Sequence, residues 1–279
     1  MDCLVEKNGV KTELSSIDVL VTDFKDSSPV LNVTQREVRN RSGFIFSGAV
    51  HKEKSIVVSG KFQTDTVYES EEKKDELNSL FSSDEPFYIT KMLPTSDLYE
   101  FELPGQTEGF ELLGIPCETY KYRYKVIPSS EIDYNFLGKS SAGLLTEFSI
   151  TLKTAELPFG ETLPTNETIT SGFIEYRGTA RCSQLEWPWT VKLVSKKSQI
   201  GRFSVTIGDR TFESYSLTPI RVGDIFLLKG VEALKNYSNF NESTNYEHFE
   251  LKPYPKNQIP ISTDFAGTIE LLNKTELYI

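Results

Sequence analysis

The sequence predicts a mainly β protein of two domains: an N-terminal, β-sandwich-like domain carrying one α-helix, and a second β-sandwich. Three observations carry this. Short alternating segments, in which every second residue is apolar, recur from Val10 to Lys153. A single helix signal interrupts them at Thr66–Phe81. A stretch rich in Pro, Gly, Thr and Asn, Pro158–Thr168, then separates them from a second series of short strands. At 279 residues the chain is long enough for two domains.

Val10–Leu14 and Ile17–Phe24 read as strands, with Ile17, Val19 and Val21 on one face. Asp26-Ser27-Ser28-Pro29 is a turn by composition, and Val30–Val38 resumes as a strand. Arg39-Asn40-Arg41-Ser42-Gly43 follows. Arginines two apart on a strand project together, and Gly43 supplies the freedom for a turn. This segment reads either as a solvated hairpin tip or as a basic pair that docks carboxylates of a neighbouring subunit. Phe44-Ile45-Phe46 is a short apolar strand ended by Gly48. Lys54–Phe62 alternates again, with Ile56, Val58, Gly60 and Phe62 facing one way.

The helix is predicted over about residues 67–81. Thr66 and Glu69 form a capping box, Glu69 and Lys73 sit four apart in the favourable order, and Val67, Leu77, Leu80 and Phe81 make a narrow apolar stripe. Ser82-Ser83 and Pro86 stop it, and Phe87-Tyr88-Ile89 opens the next strand. Leu98–Leu103 reads as a strand and Pro104-Gly105 as a turn. In Thr119–Ile127, Tyr120, Tyr122 and Tyr124 share a face opposite Lys121, Arg123 and Lys125. Such interleaving suits either single-stranded nucleic acid or tyrosines packed down on a half-exposed strand; the acidic surroundings favour the second. Leu144–Lys153 is another strand, with Phe148, Ile150 and Leu152 on one face. A domain boundary is placed near residue 160, giving domains 1–160 and 161–279. Beyond it, strands at Gly172–Arg177, Thr190–Ser195, Arg202–Ile207, Arg210–Ser214, Asp224–Lys229, His248–Leu251 and Thr268–Leu272 recur at about the 8–12-residue spacing of a sandwich. Gly208-Asp209 and Gly223-Asp224 are turns.

The net charge of −10 is uneven. Residues 1–160 hold 17 Lys and Arg against 26 Asp and Glu, and residues 161–279 hold 13 against 14. An acidic first half argues against phosphate binding and suits a surface that must not adhere to DNA. Cys3, Cys117 and Cys182 fit no zinc spacing and read as free thiols made in a reducing compartment. No secretory signal is evident, no apolar run approaches the ~20 residues of a membrane span, and the sequons at Asn32 and Asn166 carry little without a signal.

Neither histidine, His51 or His248, lies in a nucleophile-elbow or zinc-protease context, and no phosphate-binding glycine motif occurs. No cofactor, metal or catalytic residue is expected. A glycosidase needs only two acids about 5–10 Å apart, so it stays as the remoter alternative. Trp187-Pro188-Trp189 holds both tryptophans; they either fill a core or contact a ligand or partner, a host glycan among them.

Arg39–Gly43, the strand Ile56–Phe62, the helix end Glu76-Leu77-Asn78-Ser79-Leu80-Phe81 and Pro86–Lys91 together resemble the distal tail proteins of long, non-contractile-tailed phages, over roughly residues 1–160. The second half is similar to the galectin-like β-sandwich of that family in strand spacing, Trp187 and the Gly223-Asp224 turn. The resemblance implies a structural protein of the virion tail tip, assembled in the host cytoplasm. It implies a homohexameric ring that joins the tail tube to the tip or baseplate and passes DNA without binding it specifically. Its partners would be copies of itself and other tail proteins. Arg39, Arg41, Gly43, Phe44 and Phe46 are the candidate ring interface, and Trp187 and Trp189 the candidate ligand or partner contacts. Galectins bind sugar through a His, Asn, Arg, Trp and Glu constellation, and no His-x-Asn-x-Arg surrounds His248. A docking platform for other tail proteins is therefore preferred over a carbohydrate-binding module.

Overall fold

The computed structural model describes residues 1–95, 113–141 and 143–279. The strand expected at Leu98–Leu103 and the turn at Pro104-Gly105 lie outside them. The chain divides into two compact units, Met1–Gly160 and Glu161–Ile279.

Unit 1 contains β1 (Asp2–Lys7), β2 (Val10–Glu13), β3 (Val19–Asp26), β4 (Leu31–Glu37), β5 (Phe44–His51), β6 (Ser55–Thr64), α1 (Val67–Phe81), β7 (Phe87–Pro94), β8 (Cys117–Thr119), β9 (Tyr124–Pro128), β10 (Asp133–Ser140) and β11 (Gly143–Thr154). Nine of these strands form one sheet in the order β2-β1-β7-β9-β11-β6-β3, with β10 on β11 and β8 on β7. The sheet curls until β3 touches β1. The first domain is thus one curled sheet around one core, not two stacked layers as expected. Twelve-residue β11 makes the curl possible. It pairs with β6 along one side and with β10 and then β9 along the other.

Strand β6 alternates strictly between half-buried and buried residues, as its sequence predicts. Its register sets Ile56, Val58 and Gly60 opposite Leu152, Ile150 and Phe148. Gly60 is fixed by packing: an added Cβ would lie 2.6 Å from the Phe148 ring and 2.8 Å from the Leu20 carbonyl oxygen. In β3 a bulge between Val21 and Asp23 turns Phe24 into the core beside Val19 and Val21. Ile17 lies in the preceding 3-10 turn, Leu14–Ile17, not on the strand face expected for it.

Helix α1 begins where the capping box predicts. The Glu69 N–H donates to Thr66 Oγ1 at 3.2 Å, and Glu69 Oε2 accepts from the Thr66 N–H at 3.3 Å. Ser70, Leu77 and Phe81 are buried, whereas Val67, expected in the apolar stripe, is exposed. Phe81 meets Phe148 and Phe87, each at 6.5 Å between ring centroids.

Unit 2 contains β12 (Gly160–Glu161, the first residue belonging to unit 1), β13 (Thr165–Ile169), β14 (Phe173–Glu175), β15 (Cys182–Ser183), β16 (Thr190–Ser195), β17 (Arg202–Ile207), β18 (Arg210–Tyr215), β19 (Ile225–Lys229), β20 (Glu232–Lys235), β21 (Ser238–Asn239), β22 (Glu250–Leu251), β23 (Gln258–Thr263), β24 (Gly267–Lys274) and β25 (Leu277–Tyr278). A six-stranded sheet, β13-β24-β16-β19-β20-β21, faces a four-stranded one, β14-β23-β17-β18, across an aromatic core. Phe203 of β17 lies 5.1 Å from Phe226 of β19 and 5.0 Å from Phe265. The stretch expected to be a linker instead carries β12 and β13, and β13 is the outer strand of the larger sheet. Cys3 and Cys182 are buried. Burial raises both thiols, Cys182 to about 12 and Cys3 further.

Two substitutions test these assignments by denaturant unfolding. Gly60→Ala forces Phe148 aside and costs about 1–3 kcal/mol through overpacking. Thr66→Ala removes the helix cap and costs about 1 kcal/mol.

Candidate interaction surfaces

Strands β4 and β5 take no part in the nine-stranded sheet and form a ribbon of their own. The ribbon is an insertion between β3 and β6, which are themselves paired, with Asp26 opposite Ile56. Its neck is tied at successive levels. The Ser27 amide and hydroxyl both donate to the Ser55 carbonyl, the Val30 N–H donates to the Glu53 carbonyl at 2.7 Å, and the Lys52 N–H donates to the Val30 carbonyl at 2.9 Å. Above the neck every residue from Leu31 to Val50 is exposed except half-buried Gly48.

The register pairs Glu37 with Phe44, Arg36 with Ile45 and Gln35 with Phe46, and shifts at Thr34 to bring Gly48 opposite it. Gly48 (φ 143°) therefore marks a bulge inside β5, not the end of the strand. Phe44 and Phe46 share one face at 53% and 61% exposure, and Ile45 takes the other. Arg39 and Arg41 lie in the turn at the exposed tip of the hairpin, one of the two readings the sequence offers, and Gly43 (φ 78°) closes that turn. Among the described residues Arg36, Arg39 and Arg41 form no ion pair. A two-stranded ribbon is at best marginally stable alone, and two exposed phenylalanines on one of its faces form an apolar patch of the kind found at interaction sites.

The tyrosines of Tyr120–Tyr124 share a side, although only Tyr124 lies in a strand. Their rings meet edge to face at 4.8 and 5.4 Å, so they pack on one another and present no open stacking platform. With Asp26, Lys91 and Leu93 they line a cavity of about 230 Å³. Arg123 is spent on Tyr88, 3.6 Å from its ring centroid, and on Glu6 at 3.2 Å. Below lies buried Lys54, whose Nζ donates to Tyr124 Oη at 3.1 Å; Tyr124 Oη in turn donates to Asp26 Oδ2 at 2.8 Å. Burial lowers the Lys54 pKa, partly opposed by Asp26, and burial raises that of Tyr124.

In unit 2 Trp189 is fully buried, so no ligand reaches it, while Trp187 is half-buried. Gln184 fixes this corner: its Nε2 donates to the Trp189 and Leu228 carbonyls, and its Oε1 accepts from the Phe249 and Gly230 amides. His51, expected in solvent, packs its ring edge-on against Phe159 at 5.6 Å. His248 lies within 3.7 Å of both Glu247 and Glu250. Arg210 holds those two carboxylates at 2.7 and 3.1 Å, so the pair is charge-compensated and not arranged as acid and nucleophile. Among the described residues no group of three or more His, Cys, Asp and Glu is placed to hold a metal.

Residues 6–154, just over half of the chain, match the model of the phage tail protein RIFT-related domain. The chain belongs to that phage tail protein family. No curated protein matches it. Among solved structures, the Dit protein of phage SPP1 is similar at a TM-score of 0.64 and 12% identity, over 99% of each chain. It is described there as a paradigm of the hub of the adsorption apparatus in phages that infect Gram-positive hosts. Two baseplate structures of phage p2 in the activated conformation, with Sr and with Ca, overlay more loosely, at a TM-score of 0.39 and 10% identity over 99% of this chain and 96% and 97% of theirs. The segments that resemble distal tail proteins, Arg39–Gly43, Ile56–Phe62, Glu76–Phe81 and Pro86–Lys91, all fall inside the matched span. As a member of that family, the protein is a structural component of the phage tail.

Tyr124→Phe leaves the buried Lys54 ammonium without its hydrogen-bond acceptor and costs about 1–3 kcal/mol in denaturant unfolding. A lysine whose folded pKa lies below its unfolded 10.5 makes the folded state bind fewer protons. Its stability contribution is therefore full above 10.5 and lost as pH falls through the folded value. Against Lys54→Met, the wild-type protein gains relative stability as pH rises from neutral toward 10.5.

Proposed function

We propose that this tail protein forms a homohexameric ring, the hub that joins the tail tube to the tip or baseplate and lets DNA pass. The observation that carries this reading is the ribbon: a tied neck, two exposed phenylalanines on one face and arginines free of ion pairs at its tip. A surface of this kind in a tail structural protein suits contact with a copy of itself. Arg39, Arg41, Gly43, Phe44 and Phe46 are the proposed ring-interface residues. A ring needs a heterologous interface, in which one patch meets a different patch on the next copy, and a projecting arm supplies one half of it. The similarity to the SPP1 hub protein over its full length supports the same role.

The ring reading also accounts for the charge. An excess of acid in residues 1–160, 26 against 17, suits a lumen that repels the DNA backbone and lets it slide. Unit 2 is proposed as a docking platform for other tail proteins, such as tube, tip or receptor-binding components. Burial of Trp189 disfavours its use as a sugar-binding module.

Native mass spectrometry and light scattering over a concentration series test the ring. The expected result is a closed particle of six 31.6-kDa chains. A double Phe44→Ser, Phe46→Ser variant is expected to keep the wild-type circular dichroism and remain monomeric. A wild-type protein that stays monomeric at every concentration, or a variant that assembles as well as wild type, counts against the reading.

A further inference from the structure

The ribbon is only half of a ring contact, and unit 1 carries a surface with the complementary chemistry. The outer face of α1 presents Glu69, Glu72, Lys73 and Glu76, at i, i+3, i+4 and i+7. With Asp18, Gln63, Thr64 and Asp65 they line a groove of about 400 Å³. The single lysine there is already committed: its Nζ donates to the Ile17 carbonyl at 2.9 Å and to Glu76 at 2.7 Å. Glu69 is engaged in the helix cap. Asp18, Asp65 and Glu72 are exposed and form no ion pair among the described residues. Two residues beyond Asp65, the first turn of α1 exposes Val67 and Tyr68, at 67% and 74%.

The two surfaces match term by term. The ribbon offers Phe44 and Phe46 with Arg36, Arg39 and Arg41 unpaired; the acidic groove offers Asp18, Asp65 and Glu72 unpaired, and the adjoining first turn of α1 adds Val67 and Tyr68. Each side alone leaves like charges and apolar groups in water. Brought together, both are covered, and opposite charges set the register. We propose that the ribbon of one copy docks on the acidic face of α1 of the next copy, its tip arginines meeting Asp18, Asp65 and Glu72. This rests on the ring reading and names the acceptor surface within it. Because the donor and acceptor patches differ, the contact propagates head to tail and closes by rotation.

Charge exchange in the full chain tests it. Arg39→Glu with Arg41→Glu, and separately Asp65→Lys with Glu72→Lys, are each expected to raise the concentration needed for assembly about tenfold or more, since like charges then face each other. The chain carrying all four changes is expected to assemble again. Circular dichroism and thermal melting check that each variant folds. A second measurement uses a Cys117→Ser background: chains with Arg41→Cys mixed with mass-tagged chains with Glu72→Cys should form a mixed disulfide under mild oxidation. A Glu131→Cys control on the β10 side should not. If the wild-type ring forms but the fourfold variant does not recover and no mixed disulfide appears, the ring reading stands and the acceptor is wrong. If the wild-type protein never associates, both fall together.

Discussion

Unit 1 depends on the pairing of β11 with β6, and within it on the bare Cα of Gly60 beneath Phe148. That close approach lets the Phe148 ring lie flat enough to meet Phe81, and so seats α1 over the sheet. It also locks the register. A one-residue slip would place Phe148 over a residue with a side chain and turn Ile150 and Leu152 outward. Because β11 also carries β10 and β9, the curl of the whole sheet follows from this one pairing.

Rigidity in the sheet is what makes the ribbon useful. Strands β3 and β6 are neighbours, so an excursion of the chain between them must leave and return at adjacent points. The Ser27, Val30 and Lys52 hydrogen bonds hold that gate shut. The ribbon is therefore carried on a stiff base while its faces stay bare. Sequence alternation alone does not distinguish such an arm from a sheet strand, since both read as apolar residues every second position. In this chain the two arms of the ribbon, Val30–Val38 and the short apolar run Phe44–Phe46, flank the basic turn Arg39–Gly43, and nothing local in either arm marks it as standing apart from the sheet.

The legible parts are those written in local chemistry. The helix is set by hydrogen bonds among residues three apart, so Thr66 and Glu69 announce its start. The alternation of Ile56, Val58 and Phe62 is set by the two-residue repeat of a strand, and it too reads directly. The misread parts were decided by distant partners. The stretch Thr165–Ile169 has a turn-like composition, yet it is a strand because β24 offers it an edge. The bulges at Val21 and Gly48 depend on the facing strands. The acidic groove on α1 does not show as a unit because its carboxylates come from two segments far apart in sequence, Asp18 and the run from Asp65 into the helix. Its helical share, at i, i+3 and i+7, was open to reading from the sequence alone.

The two buried cysteines bear on how the protein meets oxidants. A thiol reacts with peroxide or with another disulfide as its thiolate, and burial around Cys3 and Cys182 keeps both protonated at neutral pH. An oxidant in solution thus finds these two sulfurs sealed in packed interiors. Of the three cysteines only Cys117, half-buried, has its sulfur near the surface. Oxidation by dissolved reagents is therefore directed to Cys117 and away from the two core thiols.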